Sequence, residues 1–395
     1  MPHREPNLET FQPYADESQI LRRHIHQYPE LGFEERQTAD LVARKLEEWG
    51  YQVTRGLGIT GLVGTLKRGN SPRTLGIRAD MDALPILENT QLPYSSQHEG
   101  IMHACGHDGH TAMLLGAAHY LADHACFDGT LHLIFQPAEE GLAGAQKMID
   151  DGLFKRFPCD AVFAMHNMPG FPQGQFVFGE GAFMASSDTV TITIHGKGGH
   201  GAMPKGTVDA VVVGASIVMA LQTIVARNLG AQEPGVITVG SFQSGMASNV
   251  IADSAVLKLS VRALDPQVRE LLEERIKTLV TAQAASYGAR IDIDYDHTYP
   301  VLVNQPEMTR FAKQVAQNLM GDSHPQQVID IPEPLMGSED FAFMLNQCPG
   351  SYLLLGNGQG ENSCMVHNPG YDFNDEIILR GIAYWSALTH EFLKE

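Results

Sequence analysis

The stretch TLHLIFQPAEEGLAGAQKMIDDGLFKRFPCDAVFAMH, residues 130–166, decides the fold. It opens on an apolar run (130–136), passes through a helical pattern (143–151) and closes on a second apolar run (161–166). Short apolar runs suit strands covered on both faces, and a helix between two of them suits a parallel crossover. Upstream, LGIRA (75–79) is a run of the same kind, and residues 109–124 read as helix. Repeated β-α units of this kind predict an α/β fold around a largely parallel sheet. Nearer the N-terminus, Ala39, Val42, Leu46 and Trp49 recur at three- and four-residue intervals before Gly50, which predicts an amphipathic helix within 33–50.

The pattern changes near residue 186. TVTITIHG (189–196) alternates strictly, an uncharged helix covers about 207–228, and GVITVGSF (235–242) and AVLKLSVRAL (255–264) read as half-exposed strands. Asp265-Pro266 then starts a helix that runs to Gly288, with Asp265 as N-cap and Pro266 at the first helical position. This β-α-β-β-α-β order predicts a ferredoxin-like domain inserted over 186–298, between the two parts, 1–185 and 299–395, of a larger domain. Beyond it, 306–320 and the stretch from Asn374 to the end read as helices, and SYLLLG (351–356) as a buried strand rejoining the first sheet.

Composition narrows the function. The 395 residues hold 27 Lys+Arg against 46 Asp+Glu, a net charge of −19, which argues against nucleic acid or an anionic membrane as partner because both demand a basic patch. Cys105, Cys126, Cys159, Cys348 and Cys364 are odd in number and scattered, unlike a disulfide framework. The N-terminal MPHREPNLETFQPYADE has no apolar core of the signal-peptide kind, so the cytoplasm is the expected compartment. The uncharged run from Ala210 to Ala226 is short for a membrane span and carries Gly, Ser, Gln and Thr, so it is read as a buried helix of a soluble protein.

GLGITG (56–61) and GKGGHG (196–201) match the dinucleotide fingerprint, but context rejects both. The first leads into LVGTL, a strand pattern, where a phosphate-binding turn must open a helix; the second lacks an acidic residue after the following strand. No G-x-S-x-G elbow is present either, which leaves a serine hydrolase of the α/β type without its nucleophile.

The chemistry concentrates in MHACGHDGH (102–110). One histidine or cysteine there is explained by packing; His103, Cys105, His107, Asp108 and His110 together are not. Cys105 and His107 are two apart, so in an extended loop a thiolate and an imidazole can face one metal. His103 and His110 stand open between ligation and a capping or supporting role. Three apolar strands also end in polar groups: 75–79 in Asp80 and Asp82, 130–136 in Glu139 and Glu140, 161–166 in His166. In an open α/β sheet the site lies outside the carboxyl ends of the strands, so these ends are expected to meet Cys105 and His107. His367 lies in the Gly/Pro/Asn-rich loop SCMVHNPGYDF (363–373). The resulting set, Cys105, His107, Glu140, His166 and His367, is larger than the about three protein ligands of a single catalytic zinc and implies two metals. Glu139, beside a ligand, is the expected general base: it takes a proton from a water and passes it to a leaving nitrogen in amide hydrolysis.

Taken together, RADMDALP (78–85), HACGHDGHTAMLLGAA (103–118), FQPAEEGLAGA (135–145), GKGGHGAMP (196–204), ASNVIAD (247–253) and GSEDFAF (337–343) resemble the metal-dependent aminoacylase/carboxypeptidase amidohydrolases, and among them the hippurate hydrolase, N-acyl-amino-acid amidohydrolase and indoleacetyl-amino-acid hydrolase group. The resemblance covers about residues 20 to 390. It implies a two-metal catalytic domain with an inserted dimerisation, or lid, domain, a homodimer, and cleavage of the amide between an acyl group and an amino acid. The family's metal ligands fall on Cys105, His107, Glu140, His166 and His367, and its general base on Glu139. Asp82 matches the residue that orients a metal-ligating side chain. His200 matches a histidine that stabilises the oxyanion across the dimer, and Asn249 and Arg262 match positions that bind substrate carboxylate or carbonyl groups. Read from the chain alone, His200 is a loop histidine and Arg262 a strand arginine. Pro204-Lys205 departs from the family's Pro-His at that point. A dipeptidase or carboxypeptidase on the same scaffold, or a binding protein with a structural metal, are the competing functions; Glu139 beside a ligand argues against the last, since a closed structural site needs no base. Zinc, manganese, cobalt and nickel all accept imidazole, carboxylate and a single thiolate.

Overall fold

The computed structural model describes residues 8–124, 126–321, 325–360 and 363–394. Residues 1–7, on which the expected compartment partly rests, lie outside them. The chain divides into two compact units, one containing Val303–Glu333 and everything outside residues 182–339, the other Ala182–Leu302 with Pro334–Glu339.

The first unit begins with helices α1 (Gln12–Gln27) and α2 (Arg36–Glu48), followed by strands β1 (Gln52–Leu57), β2 (Gly61–Arg68) and β3 (Thr74–Asp80). A long loop leads to α3 (His107–His124), then β4 (Gly129–Gln136), α4 (Gly144–Asp150), β5 (Ala161–Pro169) and β6 (Phe176–Phe178). Helix α3 is buried on almost every side, against α1 on one flank, as its apolar composition requires.

In the second unit β7 (Ser187–His195), α5 (Ala210–Asn228), β8 (Gly235–Ser244), β9 (Ser254–Ala263), α6 (Pro266–Ser286) and β10 (Arg290–Tyr299) follow the expected β-α-β-β-α-β order. The antiparallel sheet runs β8-β9-β7-β10, the ferredoxin-like arrangement. Asp265 caps α6 as its sequence requires, accepting from the Gln267 and Val268 N–H groups, and Asp209 caps α5 in the same way. The expectation of a buried helix at 210–226 needs correction. Helix α5 covers the sheet with Val213, Ile217, Leu221 and Ile224 but leaves Val211, Val212 and Met219 exposed. The unit also reaches past 186–298 at both ends and takes in Pro334–Glu339, because the Leu335 N–H donates to the Phe183 carbonyl and the Ala185 N–H to the Leu335 carbonyl.

The chain then returns to the first unit with α7 (Pro306–Met320), β11 (Val328–Asp330), β12 (Gly350–Gly358) and α8 (Ile378–Phe392), the last packed on α3. The eight strands run β1-β2-β4-β3-β5-β12-β6-β11. The central run β4-β3-β5-β12 is parallel throughout, so its carboxyl ends come out along one edge.

Candidate active site

Parallel register brings the polar strand ends level: Asp80 pairs with Gln136, and Arg78 pairs with Ala164, two residues before His166. Arg78, the one cation of β3, is buried and donates to Gln136 Oε1 (2.7 Å), Asp80 Oδ2 (2.7 Å) and Asp340 Oδ1 (3.1 Å). One guanidinium therefore fixes three chain segments beneath the site.

Directly after Gln136 the chain turns through a left-handed Ala138 (φ 54°), so Glu139 and Glu140 follow the strand without a helix between. Two carboxylates hold that turn: Glu35 Oε1 accepts from the Ala138 N–H (2.8 Å) and Asp82 Oδ2 from the Glu140 N–H (2.9 Å). Burial first, then the nearby charge of Asp82, raises the pKa of Glu35 to about 7. Glu139 is buried, and its Oε1 accepts from the Asp340 N–H at 3.3 Å.

The other oxygen of Asp82 lies 3.1 Å from His107 Nδ1, and a proton held there leaves the lone pair of Nε2 free to ligate a metal. Nε2 faces Asp80 Oδ2 at 3.6 Å and Glu140 Oε1 at 4.0 Å. Burial alone would lower the pKa of His107, but Asp80, Asp82 and Glu140 outweigh it and raise it to about 10, so the pocket calls for positive charge at this point. Cys105 Sγ lies 3.3 Å from His166 Nε2, and burial together with Glu140, Glu139 and Asp80 pushes its thiol well above the usual range. A thiolate there requires a cation. The pKa of His166 is lowered by burial and by His110, and its Nδ1 is bonded to the Asn167 carbonyl, so its Nε2 lone pair points at the same space. His367 approaches from the far loop, with Nε2 3.2 Å from Glu140 Oε1.

All five expected ligands and Glu139 are thus brought together. Their donor atoms form overlapping groups within 4.8 Å, Cys105–His107–His166, Cys105–Glu140–His367 and His107–Glu139–Glu140. The donor set fits divalent ions: among the described residues, His107 Nε2 and Glu140 Oε1 are buried atoms outside any hydrogen bond. The open question over His110 resolves toward support, because both its nitrogens are engaged, Nδ1 with Asp80 Oδ1 (2.6 Å) and Nε2 as acceptor from the Asn167 N–H (2.9 Å). His103 is buried with neither nitrogen bonded, and burial drives its pKa down to about 4. His200, Asn249 and Arg262 belong to the second unit. His200 is exposed and pairs with Val250, while the Gly201 N–H donates to the Asn249 carbonyl, so the first two sit side by side; Arg262 Nη1 is buried without a hydrogen bond.

Several supporting residues lie beyond the reach of the sequence reading. Asn167 Nδ2 donates to the Cys105 carbonyl (2.7 Å), and the Tyr371 hydroxyl donates to Asn167 Oδ1 (2.6 Å). Gly106 fits between them with φ +90°; a β-carbon there would fall 2.3 Å from Asn167 Nδ2 and 2.5 Å from Tyr371 Oη. The isolated charge of Arg78 in LGIRAD was the available signal for the network below the site.

Carboxylates, imidazoles and a thiolate gathered at parallel strand ends, with a spare glutamate beside them, define a metal-binding hydrolase. The chain belongs to peptidase family M20/M25/M40, which it matches over residues 76–391. It is 46% identical over 378 residues to a hippurate hydrolase of Campylobacter jejuni, covering 96% of this chain and 97% of the relative. It is 37% identical over 379 residues to thermostable carboxypeptidase 1 of Saccharolobus solfataricus, covering 94% and 93%. Among solved structures, the YXEP protein of Bacillus subtilis, described as a dinuclear metal-binding peptidase of the M20 family, superposes with a TM-score of 0.83 at 31% identity, covering 97% of this chain and 99% of that one.

Proposed function

We propose that the protein hydrolyses the amide bond of N-acyl amino acids, hippurate-like conjugates among them, at a centre of two divalent ions. The observation that carries the reading is the convergence of Cys105, His107, Glu140, His166 and His367 with Glu139 in the same pocket. Bound there, the ions supply Lewis acidity toward the scissile carbonyl and lower the pKa of an attacking water. Asp82 sets the tautomer of His107 and the backbone of Glu140. Glu139 accepts the proton of the water and delivers it to the leaving nitrogen. His200 donates to the developing oxyanion in the site of the partner subunit of a homodimer, and Asn249 and Arg262 hold the substrate carboxylate or carbonyl. Zinc or manganese occupies the site in the cytoplasm, with cobalt and nickel compatible with the same donors.

The relationship to a carboxypeptidase favours a second reading, in which the acyl group is itself an amino acid. Both reactions leave a free amino acid, so a panel of benzoyl-, acetyl- and indoleacetyl-amino acids run beside dipeptides, on protein of measured metal content, separates them. Glu139→Gln is expected to keep its metal while kcat falls ~10²–10⁴-fold. Wild-type turnover in that variant would remove Glu139 from the mechanism.

A further inference from the structure

The two segments that bring donors to the site from opposite ends of the chain are both tied to one buried arginine of α1. Arg22 is fully buried, its Nε 2.9 Å from Asp108 Oδ2, its Nη2 hydrogen-bonded to Asp372 Oδ1 and its Nη1 3.3 Å from Asp375 Oδ1. Asp108 follows His107 directly in the first turn of α3, and Asp372 lies on the loop that carries His367. Tyr94 closes over the guanidinium at 4.9 Å and donates its hydroxyl to Asp372 Oδ2 (2.8 Å).

The His367 loop needs such a tie. His367 stands at φ +65°, a left-handed conformation that costs a residue with a β-carbon and persists only when its surroundings impose it. Its side chain is 52% exposed, so packing does not hold the ring; the loop's other ties are bonds from the His367 N–H to the Ala104 carbonyl (2.7 Å), from the Asn89 N–H to the Pro369 carbonyl (2.9 Å) and from the Tyr371 hydroxyl to Asn167, none of which reaches the imidazole. A buried guanidinium among three carboxylates is also a poor choice for stability alone, because apolar residues of the same volume often do as well. What the ion pairs add is a fixed distance between the His107 segment and the His367 loop.

We infer that Arg22 is a positioning residue for His367: by holding Asp108 and Asp372 together it places that ring against Glu140 and so sets the affinity of the ion that His367 binds. The inference rests on the proposed ligand set. It selects one ion of the two, because His367 belongs to the group with Cys105 and Glu140 and is absent from the group of Cys105, His107 and His166.

The test is a chelator competition on full-length protein reconstituted with two equivalents of Zn²⁺, resolving the two ions by their separate release, for wild type, Arg22→Met, Asp372→Asn, His367→Ala and the double variant Arg22→Met/His367→Ala. Arg22→Met and Asp372→Asn should each weaken one ion ~10–100-fold, the range for groups that orient metal ligands, and leave the other unchanged. The double variant should lose no more than His367→Ala alone, which a general loss of stability would not produce. Two ions held as in wild type by the Arg22 and Asp372 variants, equal weakening of both ions, or additive losses in the double variant would overturn the role of Arg22. Asp372→Asn decides the matter if Arg22→Met does not fold. If His367→Ala itself keeps both ions at wild-type affinity, the ligand assignment falls and the inference with it, an outcome distinct from a silent Arg22 beside a sensitive His367.

Discussion

Replacing Asp82 with asparagine tests the joint on which two metal donors turn. One carboxylate faces His107 Nδ1 at 3.1 Å through Oδ1 and accepts from the Glu140 N–H at 2.9 Å through Oδ2. Asparagine keeps one oxygen and puts an NH₂ where the other stood, so one of those two N–H groups must face another donor. A hydrogen bond to a charged group contributes about 1.5–3 kcal/mol. At about 1.4 kcal/mol per tenfold, its loss corresponds to roughly 10- to 100-fold in metal affinity. The loss should fall chiefly on one ion, the one nearest His107 or the one nearest Glu140, according to which of the two keeps the amide oxygen. Chelator competition on wild type and Asp82→Asn measures it, with thermal unfolding of the metal-stripped proteins as the control for folding. Asp82→Asn binding both ions as tightly as wild type would refute the claim that Asp82 sets the donor geometry.

Three further outcomes are expected. Cys105 keeps its proton without a cation and must lose it to ligate one, so metal binding at neutral pH should release more protons in wild type than in Cys105→Ala; equal release in the two proteins removes it from the ligand set. The pKa of His26 is lowered by burial but raised further by Asp108 and Glu88, from 6.5 to about 9, so its stabilising charge is fully present below pH 6.5 and is lost as pH climbs through 9. That contribution, on the order of 3 kcal/mol by linkage, should vanish in His26→Gln, whose unfolding free energy by denaturant titration would then be flatter over this window; an unchanged slope contradicts it. If His200 acts across the proposed dimer, mixing His200→Ala with Glu139→Gln subunits should restore part of the activity, because one hybrid site would then combine a native Glu139 with a native His200 from the other chain, and a donor to the oxyanion is worth roughly 10²–10³ in kcat. Hybrids as inactive as either parent would confine His200 to its own subunit or to no role.

The sheet was legible because its central strands are apolar on both faces, as at 130–136 and 161–166, and the inserted unit because alternation in 189–196 and 255–264 marks strands with one open face. Helix α1 escaped for the opposite reason. Its buried face mixes Ala15, Leu21 and Ile25 with Ser18, Arg22 and His26, so polar residues interrupt the apolar period that would have declared it. The cluster of candidate ligands could be read because cysteine, histidine and paired glutamates at strand ends have few structural uses. Asn167 and Tyr371 could not, since each takes its meaning from a partner far away in sequence: the Cys105 carbonyl lies 62 positions from Asn167 and Asn167 itself 204 from Tyr371. The stretch 334–339 joins the inserted unit through backbone bonds of Leu335 and Gly337 to Phe183 and Ala185, which no pattern in its sequence announces.

The position of β12 has a consequence for how the chain is made. Strands β5 and β6 are successive in sequence, yet they do not touch: β12, from beyond the insertion, lies between them and bonds to both. On the ribosome, β5 therefore emerges with an open edge that waits roughly 180 residues, from Pro169 to Gly350, for its neighbour. The ferredoxin-like unit, whose strands pair among themselves, can fold during that interval, while the larger sheet stays unfinished beside it. An unpaired apolar edge invites association with other chains. Translation that stops after Glu339 but before Gly350 thus releases a polypeptide with a finished inserted unit and an exposed sheet edge, a natural client for chaperones and proteases.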